Sequence, residues 1–271
     1  MIIGEKFFIT EMPKTGTTFL RNYFAQHKNI ELTIHHETIN QNKRYNLLNF
    51  KNRIGVIRNP YEWYLSIWKS TCKAKKHSPI YADLVSIRLK LRRLRLNERL
   101  YGYIFSQITK DRDKLKSMFE NVHSKKNFNK FLGIMLNFKN RLMIGSEYSF
   151  VPFENLGYMT YIFFSQNVLR KNYNVVYNSN YKLKEILNHN NINLYTNKFF
   201  KTENLNNNLK NFLKSNNIKI KNLKILNKNS TSKILKKDYK HFFTAKNILL
   251  IEKKEDYIFR KFNYKKISSQ L

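Results

Sequence analysis

The sequence predicts an α/β protein in which a small central parallel sheet carries helices on both faces. Short apolar runs typical of buried strands alternate along the chain with longer segments of helical period. Proline or glycine follows several of these runs and marks a turn. The chain has 271 residues, enough for a hydrophobic core, and we expect one domain spanning 1–271 with long helical excursions between the strands.

Composition narrows the functional classes. Hydrophobic residues make up 42% and aromatic residues 15% of the chain, which argues against a disordered protein. The formal net charge of +33, from 51 Lys and Arg against 18 Asp and Glu, predicts an anionic partner such as a phosphorylated cofactor, an acidic glycan or nucleic acid. Lys, Asn and Ile are abundant throughout, so the informative basic residues are those in special positions.

Cysteine content and hydropathy bear on the location of the protein. Cys72 is the only cysteine, which excludes internal disulfides and a Cys-based zinc site. The sequence contains no apolar run of about 18 residues, the length that predicts a transmembrane helix. It also lacks a signal-peptide pattern at its start. We therefore expect no transmembrane segment and a cytoplasmic location, in a bacterium or in the host of a virus.

The first candidate site follows an apolar strand predicted over Phe7–Met12. Pro13 and Gly16 mark a tight loop, and we expect Thr17 to cap the helix that follows. Such a loop points several backbone N–H groups at one place, where the helix dipole favours an anion, and Lys14 adds a positive charge. The loop differs from the nucleotide-triphosphate P-loop because its lysine precedes the glycine. The alternative is an ordinary strand-to-helix turn.

The second candidate site follows another predicted central strand, Arg53–Ile57, and begins with the sequence R-N-P. Ligands of open α/β sheets bind beyond the carboxyl ends of the strands, so Arg58 and Lys14 can converge on one ligand. Ser66 lies about two helical turns after Arg58. A guanidinium and a hydroxyl together suit a phosphate monoester. The alternative is that Arg58 caps the strand or pairs with Glu62.

The pattern P-K-T-G-T-T, followed by R-N-P and a serine, resembles the nucleotide-binding elements of PAPS-dependent sulfotransferases, where PAPS is 3′-phosphoadenosine 5′-phosphosulfate. The chain looks nearer to the glycan and short bacterial or viral type than to the cytosolic small-molecule type. The resemblance implies a P-loop-like sulfotransferase fold with PAPS as sulfate donor, 3′,5′-ADP (PAP) as product and no metal.

The same resemblance implies a set of cofactor-binding residues. The 5′-phosphosulfate would be held by Lys14, Thr15, Gly16, Thr17 and Thr18. The 3′-phosphate would be held by Arg58 and Ser66. A polar loop at Asn227–Lys233 also looks like a piece of the family and adds Ser230 and Lys233 to the cofactor-binding set.

Sulfuryl transfer needs a cation at the leaving phosphate and a base for the acceptor hydroxyl. Lys14 fits the first role. Candidate bases are His35, His36 and Glu37, which follow a strand predicted over Asn29–Ile34 whose alternating apolar residues would face the packing. His36 is the first choice because neutral imidazole is a ready base near pH 7, and Glu37 is the second. The alternative is that these are surface residues at a strand end. A metal site formed by His27, His35 and His36 is disfavoured, because their spacing matches no helical metal motif and no Cys is near.

The partners follow from the same reasoning. We expect a nucleotide donor and a hydroxyl-bearing acceptor, a glycan or other carbohydrate that can be acidic, and no specific nucleic acid. A long helical pattern over Ala82–Ser106 has basic faces that could contact such an acceptor or could be solvated. A last helical pattern covers Thr244–Phe262.

Two other functions stay open at this point. A P-loop-like nucleotide phosphotransferase or kinase would need a Walker A motif and a Mg²⁺-binding Asp at a strand end, and the sequence offers neither. A non-enzymatic nucleic-acid-binding protein is favoured by the charge of +33, but it leaves both phosphate motifs unexplained.

Overall fold

The computed structural model describes residues 1–37, 46–89, 98–168, 183, 194–218 and 239–270. They form two compact units. The described residues of the first unit are 1–37, 46–59, 162–168 and 194–218, and those of the second are 60–89, 98–161, 183 and 239–270. The predicted α/β class is confirmed, because a five-stranded, mostly parallel sheet is combined with many helices. No helix in these ranges is long and apolar enough to cross a membrane.

The first unit contains the sheet. Its strands are β1 (Ile2–Gly4), β2 (Phe7–Ile9), β3 (Glu31–Leu32), β4 (Asn52–Ile57) and β5 (Lys198–Lys201), in the spatial order β3-β1-β2-β4-β5. The pairs β2/β4 and β4/β5 are parallel, whereas β1 runs antiparallel to both of its neighbours. Strands β2, β3, β4 and β5 therefore point the same way, and the segments that follow them lie at one edge of the sheet.

The helices account for most of the remaining regular structure. The α-helices are α1 (Thr17–Phe24), α2 (Pro60–Lys73), α3 (Pro79–Val85), α4 (Glu98–Thr109), α5 (Arg112–Ser117), α6 (Lys125–Leu136), α7 (Tyr158–Asn167), α8 (Leu205–Ser215), α9 (Ala245–Lys254) and α10 (Asp256–Lys261). Short 3-10 turns lie at Leu47–Asn49, Lys75–His77, Phe138–Met143, Glu147–Phe150, Thr202–Asn204, Tyr239–Phe242 and Ser268–Gln270.

Helices α1 and α8 cover one face of the sheet. Alternate strand residues point to this face, as the period of a strand requires. They are buried in one apolar cluster with both helices, whose members include Ile2, Phe7, Ile9, Ile54, Val56, Leu20, Phe24, Leu209 and Leu213. The rings of Phe7 and Phe212 meet edge to face with centroids 5.0 Å apart. Apolar burial of this kind fixes the position of α1 at the end of β2.

The end of α7, residues 162–167, lies against the opposite face. A Cβ on Gly55 would lie 2.4 Å from the Phe199 ring and 2.9 Å from Asn167 Oδ1, so only glycine allows this approach. Asn167 Oδ1 accepts hydrogen bonds from Thr10 Oγ1 at 3.0 Å and Thr196 Oγ1 at 3.2 Å. Helices on both faces are thus observed in the first unit, as the sequence predicts.

The second unit is helical and is organised around buried aromatic residues. Helix α2 begins at Pro60 and buries Trp63, Ile67 and Trp68. The carboxylate of Glu255 is fully buried and accepts hydrogen bonds from the Thr160 hydroxyl at 2.6 Å and from the Thr160 N–H at 2.8 Å.

Glu255 also explains why one predicted helix is two. The pattern over Thr244–Phe262 is not continuous, because Glu255 ends α9 with φ −104° and ψ 19° and precedes α10. Its side chain lies against Gly157, where an added Cβ would come within 2.0 Å of a carboxylate oxygen. Because the Glu255 side chain is buried against the start of α7, the chain breaks into two helices at this residue.

Two other sequence expectations are corrected. The strand predicted over Asn29–Ile34 is limited to β3, and the chain then turns, with the Glu37 N–H donating to Ile34 O at 3.1 Å. The side chain of Ile34 is consequently 78% exposed rather than packed.

The single helix expected over Ala82–Ser106 is also wrong. Helix α3 ends at Val85, and Ser86 is extended with ψ 151°. Lys110 Nζ donates to the Ser86 carbonyl at 2.6 Å, which satisfies a carbonyl that a continuing helix would have used. Residues 90–97 of that pattern lie outside the described residues.

Candidate active site

The turn between β2 and α1 has a left-handed backbone at two places. Lys14 has φ 64° and Gly16 has φ 87°. Gly16 is the residue that caps α1, so the expectation that Thr17 caps the helix is wrong, and Thr17 is the first helical residue. No described side chain caps α1, and its first turn contains no acidic residue. The first N–H groups of the helix therefore point out of the loop, the arrangement that favours an anion.

The three threonines of this loop differ in position. The Thr15 hydroxyl is buried and donates to Met12 O at 2.7 Å, so it stabilises the loop from inside. Thr17 is also buried, whereas Thr18 is exposed on the first turn of α1. Thr18 thus offers its hydroxyl to a ligand, while Thr15 shapes the backbone that a ligand would meet.

The segment after β5 connects the turns that follow β2 and β4. Thr202 Oγ1 lies 3.0 Å from both Thr15 O and Ile57 O, so the one hydroxyl proton of Thr202 can be donated to either carbonyl. The Asn59 N–H donates to Glu203 Oε1 at 2.7 Å. These contacts join residues more than a hundred positions apart in the chain, so no local sequence pattern predicts them.

Arg58 lies beside the turn between β2 and α1, as the sequence predicts. It is buried, with 7% exposure, and its Nη1 donates to the Lys14 carbonyl at 3.2 Å. Burial, and then the charge of the Arg58 guanidinium, lower the pKa of Lys14. Two cations held together beside an uncapped helix start create a positive potential, which an anion at this edge would relieve.

His36 also lies at this edge, although it follows a different strand. Its Nδ1 is 2.7 Å from the carbonyl oxygen of Glu11. Because a carbonyl can only accept, Nδ1 carries the proton, and the Nε2 of the neutral ring keeps its lone pair. Burial lowers the pKa of His36, which keeps the imidazole neutral near pH 7. The backbone of His36 has φ 60°, a conformation that is costly for a residue with a side chain.

The other two candidate bases lie beside His36. The His35 ring stacks on the His36 ring with centroids 3.8 Å apart and an interplanar angle of 20°. Burial lowers the pKa of His35 too, and its side chain is 42% exposed. Glu37 is half-buried and ends the same turn. All three residues are thus at the predicted edge, and His36 is the one whose ring orientation is fixed by the loop after β2.

Two residues of this edge were missed in the sequence. Glu11 is fully buried, and its Oε2 lies 2.7 Å from Arg21 Nη1 and 3.0 Å from the Met1 nitrogen. Arg21 also donates through Nη2 to Thr33 O at 2.7 Å. The only sequence signal was an acidic residue within an otherwise apolar run, which indicates a buried and paired carboxylate.

Three predicted cofactor-binding residues remain. Ser66 is on α2 in the second unit and is 7% exposed. Ser230 and Lys233 lie outside the described residues. Within the described ranges no group of three His, Cys, Asp or Glu side chains could hold a metal ion.

A cleft of about 530 Å³ lies at the opposite edge of the sheet. It is lined by the turn between β1 and β2, by the residues after α1 and by those after α8, and its polar lining includes Lys6, Lys28, Asn29 and Asn216. The cleft contains none of the predicted site residues, so the chemistry-bearing groups and the cleft occupy different ends of the first unit.

The described fold and site define an α/β protein with a cationic turn at the carboxyl edge of its sheet. Comparison of the chain with protein-family models, with curated proteins and with solved structures finds no match. A more specific functional class therefore depends on the P-K-T-G-T-T and R-N-P motifs and on the hydrogen bond from Arg58 to the Lys14 carbonyl.

We predict that Gly16→Ala destabilises the protein by about 1–3 kcal/mol. The left-handed backbone disfavours alanine, and the new Cβ would lie 2.7 Å from Leu205 Cδ2. Urea unfolding of wild type and variant measures the change. The control is Gly133→Ala in α6, where no atom lies within 4 Å of the added Cβ and where alanine should be neutral or stabilising. Equal stability of Gly16→Ala and wild type would contradict the described turn.

Proposed function

We propose that the protein is a PAPS-dependent sulfotransferase that transfers a sulfuryl group to a hydroxyl acceptor, a glycan or other carbohydrate. The observation that carries this proposal is the hydrogen bond of 3.2 Å from Arg58 Nη1 to the Lys14 carbonyl. It joins two motifs that are far apart in the sequence and that, by resemblance, bind the two phosphate ends of one nucleotide. A turn that only connected a strand to a helix would not need this second cation.

The donor would be held by groups whose positions suit its charges. The N–H groups at the start of α1 and the Thr18 hydroxyl can donate to the 5′-phosphosulfate. The Arg58 guanidinium suits the 3′-phosphate, to which the resemblance adds Ser66. Bound there, PAPS supplies a sulfuryl group attached to a good leaving group, the 5′-phosphate of PAP.

The chain supplies the proton transfer and the charge stabilisation. His36 Nε2 takes the proton of the acceptor hydroxyl as the acceptor oxygen bonds to sulfur. The bond from sulfur to the bridging oxygen breaks, and its electron pair stays on the phosphate of PAP. The Lys14 ammonium stabilises that developing charge, an effect that is strongest in the transition state. The products are the sulfate ester, PAP and a proton left on His36.

The acceptor class is supported by resemblance and by charge. The formal net charge of +33 favours an acceptor that is itself acidic, as many glycans are. Candidate acceptors are therefore best searched with unsulfated chondroitin, heparosan and N-acetyllactosamine, beside cholesterol and 2-naphthol as a sterol and a phenol.

The proposal predicts that the protein binds 3′,5′-ADP at least about 10-fold more tightly than 5′-AMP, because a charge-assisted hydrogen bond contributes about 1.5–3 kcal/mol. Arg58→Met should remove this preference, so that the variant binds the two nucleotides with equal affinity. Calorimetry measures both affinities, and Arg112→Met in α5, at an exposed position, is the control. Equal affinity of the wild type for the two nucleotides would remove Arg58 from the 3′-phosphate site.

The proposal also predicts that His36→Asn lowers the transfer rate by about 10²-fold or more, the usual loss for a general base. Asparagine tolerates positive φ and can still donate to Glu11 O, but it has no group in the place of Nε2. The measurement is transfer of labelled sulfate from PAPS to the acceptor panel, with His35→Asn and Glu37→Gln as parallel variants.

The outcomes of that comparison separate the three candidates. An inactive His36→Asn beside active His35→Asn and Glu37→Gln supports His36 as the base. An active His36→Asn with an inactive Glu37→Gln assigns the base to Glu37. Wild-type protein that transfers sulfate to no member of the panel and binds no 3′,5′-ADP contradicts the proposed function.

A further inference from the structure

Glu11 contacts both histidines of this edge, each through a different atom. Its backbone carbonyl accepts from His36 Nδ1 at 2.7 Å, and its side-chain Oε1 lies 3.8 Å from Nε2 of His35, whose ring stacks on His36. Oε1 is a buried carboxylate oxygen without a hydrogen-bond partner. A carboxylate oxygen of this kind normally has a donor, so its position beside the His35 imidazole calls for a reason.

The carboxylate is held rigidly in this position. Arg21 Nη1 contacts Oε2 at 2.7 Å, and its Nη2 donates to Thr33 O at 2.7 Å, which ties the Glu11 side chain to the segment that leads into the histidines. The histidine turn is fixed from another element as well, because Gln166 Nε2 donates to the His36 carbonyl at 3.2 Å. The strained backbone of His36 is thus held by contacts on both sides of the turn.

The two stacked rings limit how much positive charge this edge can hold. Rings 3.8 Å apart repel each other if both are protonated, so at most one imidazolium is expected. The Glu11 carboxylate is the anion beside them, and its charge favours that imidazolium. The other charged groups that act on the pair are Arg21, Lys14 and the amino group of Met1, and Glu37 acts in turn on that amino group.

We infer that Glu11 is a positioning residue for His36: its carbonyl fixes the tautomer that exposes Nε2, and its carboxylate stabilises the imidazolium that forms when Nε2 takes a proton. This inference rests on the proposed function for its catalytic meaning, since the proton is that of the acceptor hydroxyl. The electrostatic coupling itself is a property of the folded protein and can be measured without any acceptor. Burial and Glu11 act on the ring in opposite directions: burial lowers the pKa of His36 and the carboxylate raises it.

The test uses two variants with opposite expected signs. Glu11→Gln keeps the backbone carbonyl and the shape of the side chain but removes the charge, so the pKa of both imidazoles should fall. Arg21→Gln leaves the carboxylate and removes the guanidinium that lowers the pKa of His35, so that pKa should rise. Histidine NMR titrations of the whole protein give the pKa values, and long-range nitrogen–proton spectra give the tautomers. Glu5→Gln, an exposed acid between β1 and β2, is the control and should change neither pKa.

The transfer assay adds a second readout. Glu11→Gln should lower the plateau rate about tenfold, less than the loss of the base itself, and should move the acidic limb of the pH–rate profile to lower pH. Arg58-dependent binding of 3′,5′-ADP should stay as in wild type, because the nucleotide groups are untouched.

The outcomes are distinguishable from those of the proposed function. Unchanged histidine pKa values in Glu11→Gln, or His36 protonated on Nε2 in the neutral wild type, overturn the inference even if the protein transfers sulfate. Shifted pKa values in a protein that transfers no sulfate would keep the coupling and reject the function. Should Glu11→Gln fail to fold, the tautomer of His36 in the wild type carries the test, and a neutral ring protonated on Nε2 overturns the inference.

Discussion

The left-handed turn between β2 and α1 is the constraint on which the rest of the site depends. It leads from β2, which ends at Ile9, into α1, which starts at Thr17 without a side-chain cap on its N–H groups. The carbonyl of Lys14, a residue with φ 64°, accepts a hydrogen bond from the Arg58 guanidinium. The Thr15 carbonyl is likewise available to Thr202. A different backbone at Lys14 and Gly16 would remove both contacts and separate the segments that follow the parallel strands.

The topology of the sheet brings the residues after β3 to the same edge as the turn between β2 and α1. Because β1 is inserted antiparallel between β3 and β2, those two strands run in the same direction although they are not neighbours. His35 and His36, which follow β3, therefore lie at the same edge as the turn between β2 and α1. There His36 Nδ1 donates a hydrogen bond to Glu11 O. The base candidate and the phosphate-binding groups thus come from separate strands, the arrangement that α/β sheets commonly use for ligand sites.

The sequence predicts those parts of this account that depend on local patterns. Strands β2 and β4 fall on two of the predicted strand segments, although β2 ends at Ile9 rather than at Met12. The network around Glu11 could not be predicted, since its partners lie ten and twenty-five residues along the chain and have no fixed spacing. The length of β3 was overestimated because alternation of apolar residues continues to Ile34, whereas pairing with β1 ends at Leu32. The break after α3 depends on Lys110, which no local pattern connects to Ser86.

The central proposal is that one nucleotide binds at the carboxyl edge of the sheet, with its 5′-phosphate at the turn between β2 and α1 and its 3′-phosphate at Arg58. A crystal structure of the complete protein with 3′,5′-ADP tests it most directly. We expect the 5′-phosphate at the start of α1 beside Lys14 and the 3′-phosphate on Arg58. Nucleotide bound instead in the cleft at the opposite edge, near Lys6 and Lys28, or a 3′-phosphate without contact to Arg58, would contradict it.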